Sequence, residues 1–210
     1  MPGSLELEPD DAALIVVDMQ NSFLEDGGSM DRMGFDVDRM KEALPGCVEL
    51  VETAREAGIP VIFTRYVLEE DFSDGGVLLD LMPEMAEAEA LVEGSWDMEI
   101  VPELAPEPDD IVIDKNRPSS FIGTELDDIV AEQGIEQLVV CGVTTNCCVE
   151  STVRDASQYD IEPFMVEDAT AEWDDERYEV ALRSMDMLFA EVVSTEHVVE
   201  TVQEELAVEP

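Results

Sequence analysis

Apolar residues fall into short continuous runs along this chain, and longer segments with helical spacing separate the runs. Six runs predict strands, at residues 12–17, 60–66, 111–114, 137–141, 161–166 and 189–193. Apolar positions that recur every three or four residues predict helices over residues 35–57, 124–133, 149–156, 174–187 and 194–206. Since strands alternate with helices, we expect an α/β fold: a three-layer α/β/α sandwich around a six-stranded, mostly parallel, Rossmann-like sheet.

Prolines and glycines refine this prediction. Pro45 is expected to restart the first helix, and Gly58 and Gly134 are expected to end helices. Pro163, inside the fifth strand, indicates an edge position or a bulge. Residues 67–108 are irregular, and loop regions of this length are usually functional. Within them, the amphipathic residues 77–90 are expected to cover a pocket, to meet another subunit or to pack in the core.

Length and charge set the next limits. The chain has 210 residues, 45% of them hydrophobic, which suits a single domain over residues 10–210 after an N-terminal tail at 1–9. Asp and Glu number 53 against 10 Lys and Arg, giving a net charge of -43. We interpret this as a halophilic surface of solvated carboxylates, whose mutual repulsion molar salt would screen. A nucleic-acid partner is not expected, because phosphate contacts need Lys and Arg.

Features that the sequence lacks indicate the cellular location of the protein and whether it binds a metal. No apolar run reaches the roughly 18 residues of a membrane span, so no membrane partner is expected. The N-terminus has neither a basic region nor an apolar segment, which favours a cytoplasmic location and four reduced cysteines. His197 is the single histidine, so we expect no metal site built from several histidines, and no cofactor.

The sequence GVTTNCCV at residues 142–149 joins a predicted strand to a predicted helix. Unpaired N–H groups and the helix dipole stabilise an anion at such a junction. A cysteine there is expected to have a lowered pKa and to favour the reactive thiolate.

Two further charged residues lie where predicted strands end. Asp18 follows the first strand, and Lys115, one of only two lysines, closes the third. Because ligands bind beyond the carboxyl ends of parallel strands, we expect Asp18, Lys115 and Cys148 to converge there. With no histidine nearby, Asp18 would be the base, and Lys115 would keep it ionised while Cys148 attacks a carbonyl or carbamoyl carbon. The N–H groups of Thr144 and Cys148 would form the oxyanion hole.

At these residues the chain resembles the isochorismatase-like cysteine hydrolases. The matching motifs are IVVDMQNSF at 15–23, DKNRPSSFIGT at 114–124, GVTTNCCVEST at 142–152 and VEDA at 166–169, within a resemblance that covers roughly residues 10–195. It implies a catalytic triad of Asp18, Lys115 and Cys148, a cis peptide between Val143 and Thr144, and a homodimer or homotetramer.

Departures from the family pattern concern the substrate. Residues 64–71 contain no histidine, whereas the metal-binding nicotinamidases of the family have histidines in this region. Family members that cleave isochorismate lack a cysteine at the position of Cys148. The chain looks closer to members that hydrolyse carbamoyl or ureido C–N bonds, such as N-carbamoylsarcosine amidohydrolase. We therefore expect a metal-independent amidohydrolase that cleaves a small molecule through a thioester. The alternatives are a catalytically silent binding or assembly protein, or a nicotinamidase without the usual metal site.

Five further residues are candidates for binding the substrate. Phe23, Trp96 and Phe121 flank the motifs and are expected either to wall the pocket or to pack in the core. Arg65 and Arg117 are expected either to hold a substrate carboxylate or to form ion pairs on the acidic surface.

Overall fold

One sheet organises the computed structural model, which describes residues 5–208. Its six strands are β1 (Ala12–Val17), β2 (Val61–Tyr66), β3 (Ile111–Lys115), β4 (Gln137–Val143), β5 (Glu162–Ala171) and β6 (Glu191–Val193). The strand order is β3-β2-β1-β4-β5-β6, and every neighbouring pair is parallel. β1 and β4 lie at the centre and are buried at every position, as their unbroken apolar runs predict. The predicted α/β fold is confirmed.

Ten helices surround the sheet in the described residues. They are α1 (Asn21–Leu24), α2 (Ser29–Arg32), α3 (Val37–Met40), α4 (Leu44–Ala57), α5 (Gly76–Leu81), α6 (Glu84–Glu87), α7 (Leu126–Gln133), α8 (Glu150–Gln158), α9 (Asp175–Leu188) and α10 (Thr195–Val208). α4 and α10 pack together, and α8 packs on α9. Because parallel crossovers are right-handed, connections that run in opposite directions along the sheet place their helices on opposite faces. These two helix groups are the outer layers of the sandwich.

Most proline and glycine signals act as predicted. The helical segment over 35–57 is interrupted by a 3-10 turn at Lys41–Ala43, and Pro45 lies in the first turn of α4. Gly58 and Gly134 end α4 and α7 with left-handed φ values of 74° and 70°.

The edge position or bulge suggested by Pro163 is wrong, because β5 lies between β4 and β6 and Pro163 pairs in regular register with Leu138. The N–H of the preceding residue, Glu162, donates to Glu136 O on the β4 side. Pro163 therefore turns its nitrogen towards β6, which pairs with β5 only from Phe164 onwards. No ladder hydrogen bond is lost there, so an interior strand tolerates this proline.

The chain ends were also assigned from the sequence. Residues 1–4 of the predicted tail and residues 209–210 lie outside the described residues. Within the tail, Leu7 is buried in the core. Among the described residues, no helix is both long and apolar enough to cross a membrane.

Candidate active site

The site lies where the strand order of the sheet reverses. β2 and β3 follow β1 on one side, while β4, β5 and β6 extend on the other, so the connections leaving β1 and β4 diverge. Such a divergence opens a crevice at the carboxyl ends of the strands. Asp18 comes directly after β1, and the turn that carries Cys148 follows β4. The two residues therefore flank the point at which this fold class binds ligands.

Asp18 is fully buried, and both of its carboxylate oxygens have partners. Oδ1 accepts a hydrogen bond from Thr64 Oγ1 at 2.8 Å, and Oδ2 accepts one from Lys115 Nζ at 2.6 Å. The Asp18 backbone has a φ of 51°, a left-handed value that Asp tolerates better than most residues. Its N–H donates to Thr64 O at 3.1 Å, which ties the end of β1 to β2. The carboxylate is thereby fixed in place.

Lys115 reaches Asp18 from β3 across the end of β2. Its ammonium lies 4.7 Å from the centre of the Tyr66 ring, a cation–π distance. Besides Asp18, it donates to the carbonyls of Arg117 and Pro118 at 3.2 and 3.1 Å, so all three of its protons have acceptors. Burial disfavours the charged form, but the charge of Asp18 and the hydrogen bond to its carboxylate outweigh burial and raise the pKa of Lys115. Lys115 therefore stays protonated.

Cys148 belongs to a π-helical turn, Thr145–Val149, between β4 and α8. Single π turns within helices are frequent at functional sites. Thr152 in the next turn donates its hydroxyl proton to Cys148 O at 2.8 Å, and only 5% of Cys148 is exposed. The peptide bond between Val143 and Thr144 is cis, as the family resemblance implies.

The pKa of the Cys148 thiol is raised well above its usual value. The chief cause is the adjacent Cys147 thiol, whose own pKa is lowered, and the second cause is burial. Lys115 lowers this pKa and Asp18 raises it, so both members of the ion pair act electrostatically on the sulfur. The sequence predicted a lowered pKa from the helix N-terminus. Here the neighbouring Cys147 thiol and burial outweigh that effect, and Cys148 rests as a neutral thiol.

A cavity of about 180 Å³ opens beside Cys148. Most of its wall is apolar, formed by Phe23, Met30, Phe35, Tyr66, Leu91, Trp173 and three residues of the segment 77–90, namely Leu78, Met82 and Met85. That segment therefore contributes to the pocket wall, and its residues Met85 and Ala90 also pack in the core, so two of the three expected roles apply to it. An apolar cover excludes water from the thiol and strengthens the electrostatic interactions beneath it.

The polar part of the cavity wall includes two charged residues that the sequence did not single out. Glu172 is 3% exposed, and its oxygens accept the N–H groups of Asn146 at 3.1 Å and Trp173 at 2.9 Å. Burial raises the pKa of Glu172, while these two N–H groups and the charge of Arg177 lower it. Arg177 also lines the cavity. Both residues follow the VEDA motif within ten positions, but no residue pattern marks them.

The residues predicted from the motifs are placed as follows. Phe23 lines the cavity, as do Thr144 and Cys148, the two predicted oxyanion-hole residues. Arg65 pairs with Asp114 through two hydrogen bonds of 2.6 and 2.8 Å. Arg117 donates to the carbonyls of Asp74 and Asn116 at 2.7 and 2.5 Å.

The two remaining aromatic candidates lie elsewhere. Trp96 is half exposed, and Phe121 stacks on Tyr159 with ring centres 5.2 Å apart. In the part of the chain that the structure describes, the cavity wall does not include Arg65, Arg117, Trp96 or Phe121. Residues 5–208 also contain no group of three or more His, Cys, Asp or Glu side chains that could hold a metal ion.

A six-stranded parallel sheet with a buried carboxylate, an ammonium and a cavity-lining thiol at its carboxyl edge is the arrangement of a cysteine hydrolase. A family model described as the isochorismatase domain matches residues 12–197, and the chain belongs to that family. This confirms the resemblance found in the sequence. The protein is an isochorismatase-like hydrolase.

Two curated relatives and one solved structure are similar to this chain over most of its length. The chain is 37% identical to the ureidoacrylate amidohydrolase RutB of Azorhizobium caulinodans over 182 residues, which cover 80% of each protein. RutB of Agrobacterium fabrum is 35% identical over 182 residues, covering 80% of this chain and 79% of that protein. A cysteine hydrolase from Pseudomonas syringae pv. phaseolicola superposes with a TM-score of 0.87 at 29% identity, covering 94% of this chain and 95% of that one.

One more solved structure is similar in fold alone. The N-carbamoylsarcosine amidase of Thermoplasma acidophilum has a TM-score of 0.74 at 24% identity, covering 89% of this chain and 97% of that one.

Proposed function

We propose that the protein is a cysteine amidohydrolase that cleaves a C–N bond of a small carbamoyl or ureido compound. The observation that carries this proposal is the buried Asp18–Lys115 pair, whose two charges both act on the cavity-lining thiol of Cys148. The relatives named ureidoacrylate amidohydrolase support the choice of bond. If the Asp18–Lys115 pair only stabilised the fold, nothing would require a thiol and a cavity at the same end of the sheet.

The proposed reaction starts from a neutral thiol. Asp18 takes the Cys148 proton as the sulfur attacks the carbonyl carbon, so the thiolate exists only while it reacts. The raised pKa of Cys148 fits this order, because a carboxylate base is needed only if the thiol is protonated at rest. Lys115 pairs with the Asp18 carboxylate before the attack and offsets the charge that develops on sulfur.

The second half of the reaction returns the proton. The N–H groups of Thr144 and Cys148 stabilise the oxyanion of the tetrahedral intermediate. Asp18 then gives its proton to the leaving nitrogen, the C–N bond breaks, and an acyl or carbamoyl thioester remains on Cys148. A water molecule attacks that thioester, Asp18 accepts its proton, and the same proton returns to the departing sulfur. The net reaction consumes one water for each C–N bond.

An ammonia-release assay at high KCl tests the proposal. The substrates are ureidoacrylate, N-carbamoyl amino acids, biuret and nicotinamide. We expect release from at least one ureido or carbamoyl compound, and a loss of about four to six orders of magnitude in Cys148→Ala, which lacks the nucleophile. Cys47→Ser is the matched control, since Cys47 is a buried thiol on α4 that donates to Ala169 O.

Two further results decide the mechanism. Mass spectrometry of the acid-quenched enzyme should show an adduct on Cys148 during turnover. Equal activity of Cys148→Ala and wild type would refute the thioester route. Turnover of nicotinamide alone would refute the ureido or carbamoyl assignment.

A further inference from the structure

Arg177 differs from every other lysine and arginine of this chain. The other Lys and Arg head groups are all engaged, most in ion pairs with Asp or Glu and Arg117 in hydrogen bonds to carbonyls. Within residues 5–208, the Arg177 guanidinium forms neither an ion pair nor a hydrogen bond, although the chain carries 53 acidic residues. A free guanidinium in such surroundings calls for a partner that the protein itself does not supply.

The position of Arg177 indicates where that partner binds. Arg177 is exposed, yet it lines the same cavity as Cys148. It lies in the first turn of α9, where Asp174 accepts its backbone N–H at 3.0 Å and fixes the backbone. A helix dipole disfavours a cation in the first turn, so local helix stability does not explain an arginine there.

Nearby carboxylates leave the guanidinium free. On its other side, Arg177 borders a surface hollow lined by Glu150, Asp174 and Glu176, and none of these approaches within ion-pair distance. Inside the cavity, Arg177 lowers the pKa of Glu172, but both Glu172 oxygens are occupied by backbone N–H groups. Since burial favours the neutral form of Glu172, its opposition to an incoming anion is reduced.

We infer that Arg177 binds a carboxylate of the substrate, so that the compound cleaved is a ureido or carbamoyl acid. The planar guanidinium can hold a carboxylate with two parallel hydrogen bonds, while the carbonyl carbon of the same molecule lies at Cys148. Arg65 and Arg117 are not available for this role, because Asp114 and two carbonyls hold them. This inference rests on the proposed function, whose site it extends.

The test compares charged and uncharged forms of one substrate. Each carboxylate-bearing compound hydrolysed in the screen is assayed beside its methyl ester, with ammonia as the readout. Charge-assisted hydrogen bonds predict that Arg177→Gln raises KM for the acid about 10- to 100-fold, with kcat little changed and the ester unaffected. Arg177→Lys should recover part of the loss. Arg183→Gln, on the same helix and paired with Glu179 at the surface, should match wild type.

The outcomes separate this inference from the proposed function. An equal effect of Arg177→Gln on acid and ester, or no effect on either, overturns the role of Arg177 and leaves the amidohydrolase proposal standing. If wild type hydrolyses neither compound, the proposed function fails. Calorimetric titration of Cys148→Ala with the acid then decides: binding that Arg177→Gln abolishes supports the carboxylate site, and its persistence or absence in both proteins refutes it.

Discussion

At the scale of single residues, the site depends on two charges that are stable only together. Asp18 and Lys115 have side chains with no solvent exposure, and their head groups are 2.6 Å apart. Removing either charge leaves the other buried without its counter-ion, which costs more than the pair contributes when intact. Thr64 and the carbonyls of Arg117 and Pro118 stabilise the two head groups but supply no formal charge.

Substitution of the pair therefore separates stability from catalysis. We expect Lys115→Met or Asp18→Asn alone to lower the free energy of unfolding by about 3–5 kcal/mol, because each leaves an unpaired buried charge. The double variant should recover most of that loss while remaining inactive. Urea unfolding of the three variants, with the ammonia assay beside it, measures both effects. A double variant less stable than either single one would contradict this account.

The same charges set the pH at which Cys148 becomes reactive. Its raised pKa predicts that alkylation by iodoacetamide in the free enzyme increases only above the pH at which an ordinary thiol ionises. Because Asp18 raises this pKa, Asp18→Asn should shift the alkylation profile to lower pH. Because Lys115 lowers it, Lys115→Met should shift the profile to higher pH. Tandem mass spectrometry resolves Cys148 from Cys147, and shifts of the opposite sign would rule out the electrostatic coupling.

At the scale of elements, the close approach of β4 to β1 fixes the start of the turn that carries Cys148. Gly142 has a φ of 108°, and a Cβ there would lie 2.6 Å from Val17 N and closer still to Val17 O. Neither backbone atom can move without disturbing the sheet next to Asp18. We expect Gly142→Ala to lower the free energy of unfolding by about 4 kcal/mol or more, or to prevent folding.

Gly134→Ala is the matched control for that prediction. Gly134 also has a positive φ, 70°, but a Cβ there would meet no atom within 4 Å. Its substitution should cost only about 1 kcal/mol, from backbone strain alone. Thermal unfolding of the two variants separates steric conflict from backbone strain, and equal losses would show that the contact with Val17 is unimportant.

The elements that carry the site were predictable because each is a continuous stretch of sequence. Asp18, Lys115 and Cys148 each follow or end an apolar run, and parallel strands bring such ends together. The partner of Arg65 was not predictable, because its pairing with Asp114 depends on the register of β2 against β3. Arg177 gave no signal either, because its proposed role rests on its having no ion pair or hydrogen bond to its guanidinium within residues 5–208, which only the folded chain reveals.

At the scale of the whole molecule, net charge is the dominant feature. A charge of -43 on 210 residues produces a repulsive field that favours expansion and opposes the approach of anions. An anionic substrate would then reach the cavity more readily at high salt, with Arg177 as a local attraction at the end of its path. The halophilic character, the cytoplasmic location and the homo-oligomer expected from the sequence remain predictions.

Salt should stabilise this fold by screening that repulsion. The Debye length falls from about 10 Å at 0.1 M to about 3 Å at 1 M salt, so neighbouring surface carboxylates cease to interact over this range. We expect the free energy of unfolding, measured by urea titration, to rise steeply with KCl up to roughly 1 M and to level off beyond it. Exclusion of salt from the protein surface would instead give a rise that continues at higher concentrations. Protonating part of the carboxylates near pH 5 should flatten the KCl dependence, because fewer charges then remain to be screened. If stability is insensitive to KCl below 1 M, self-repulsion does not limit this fold, and the acidic surface requires another explanation.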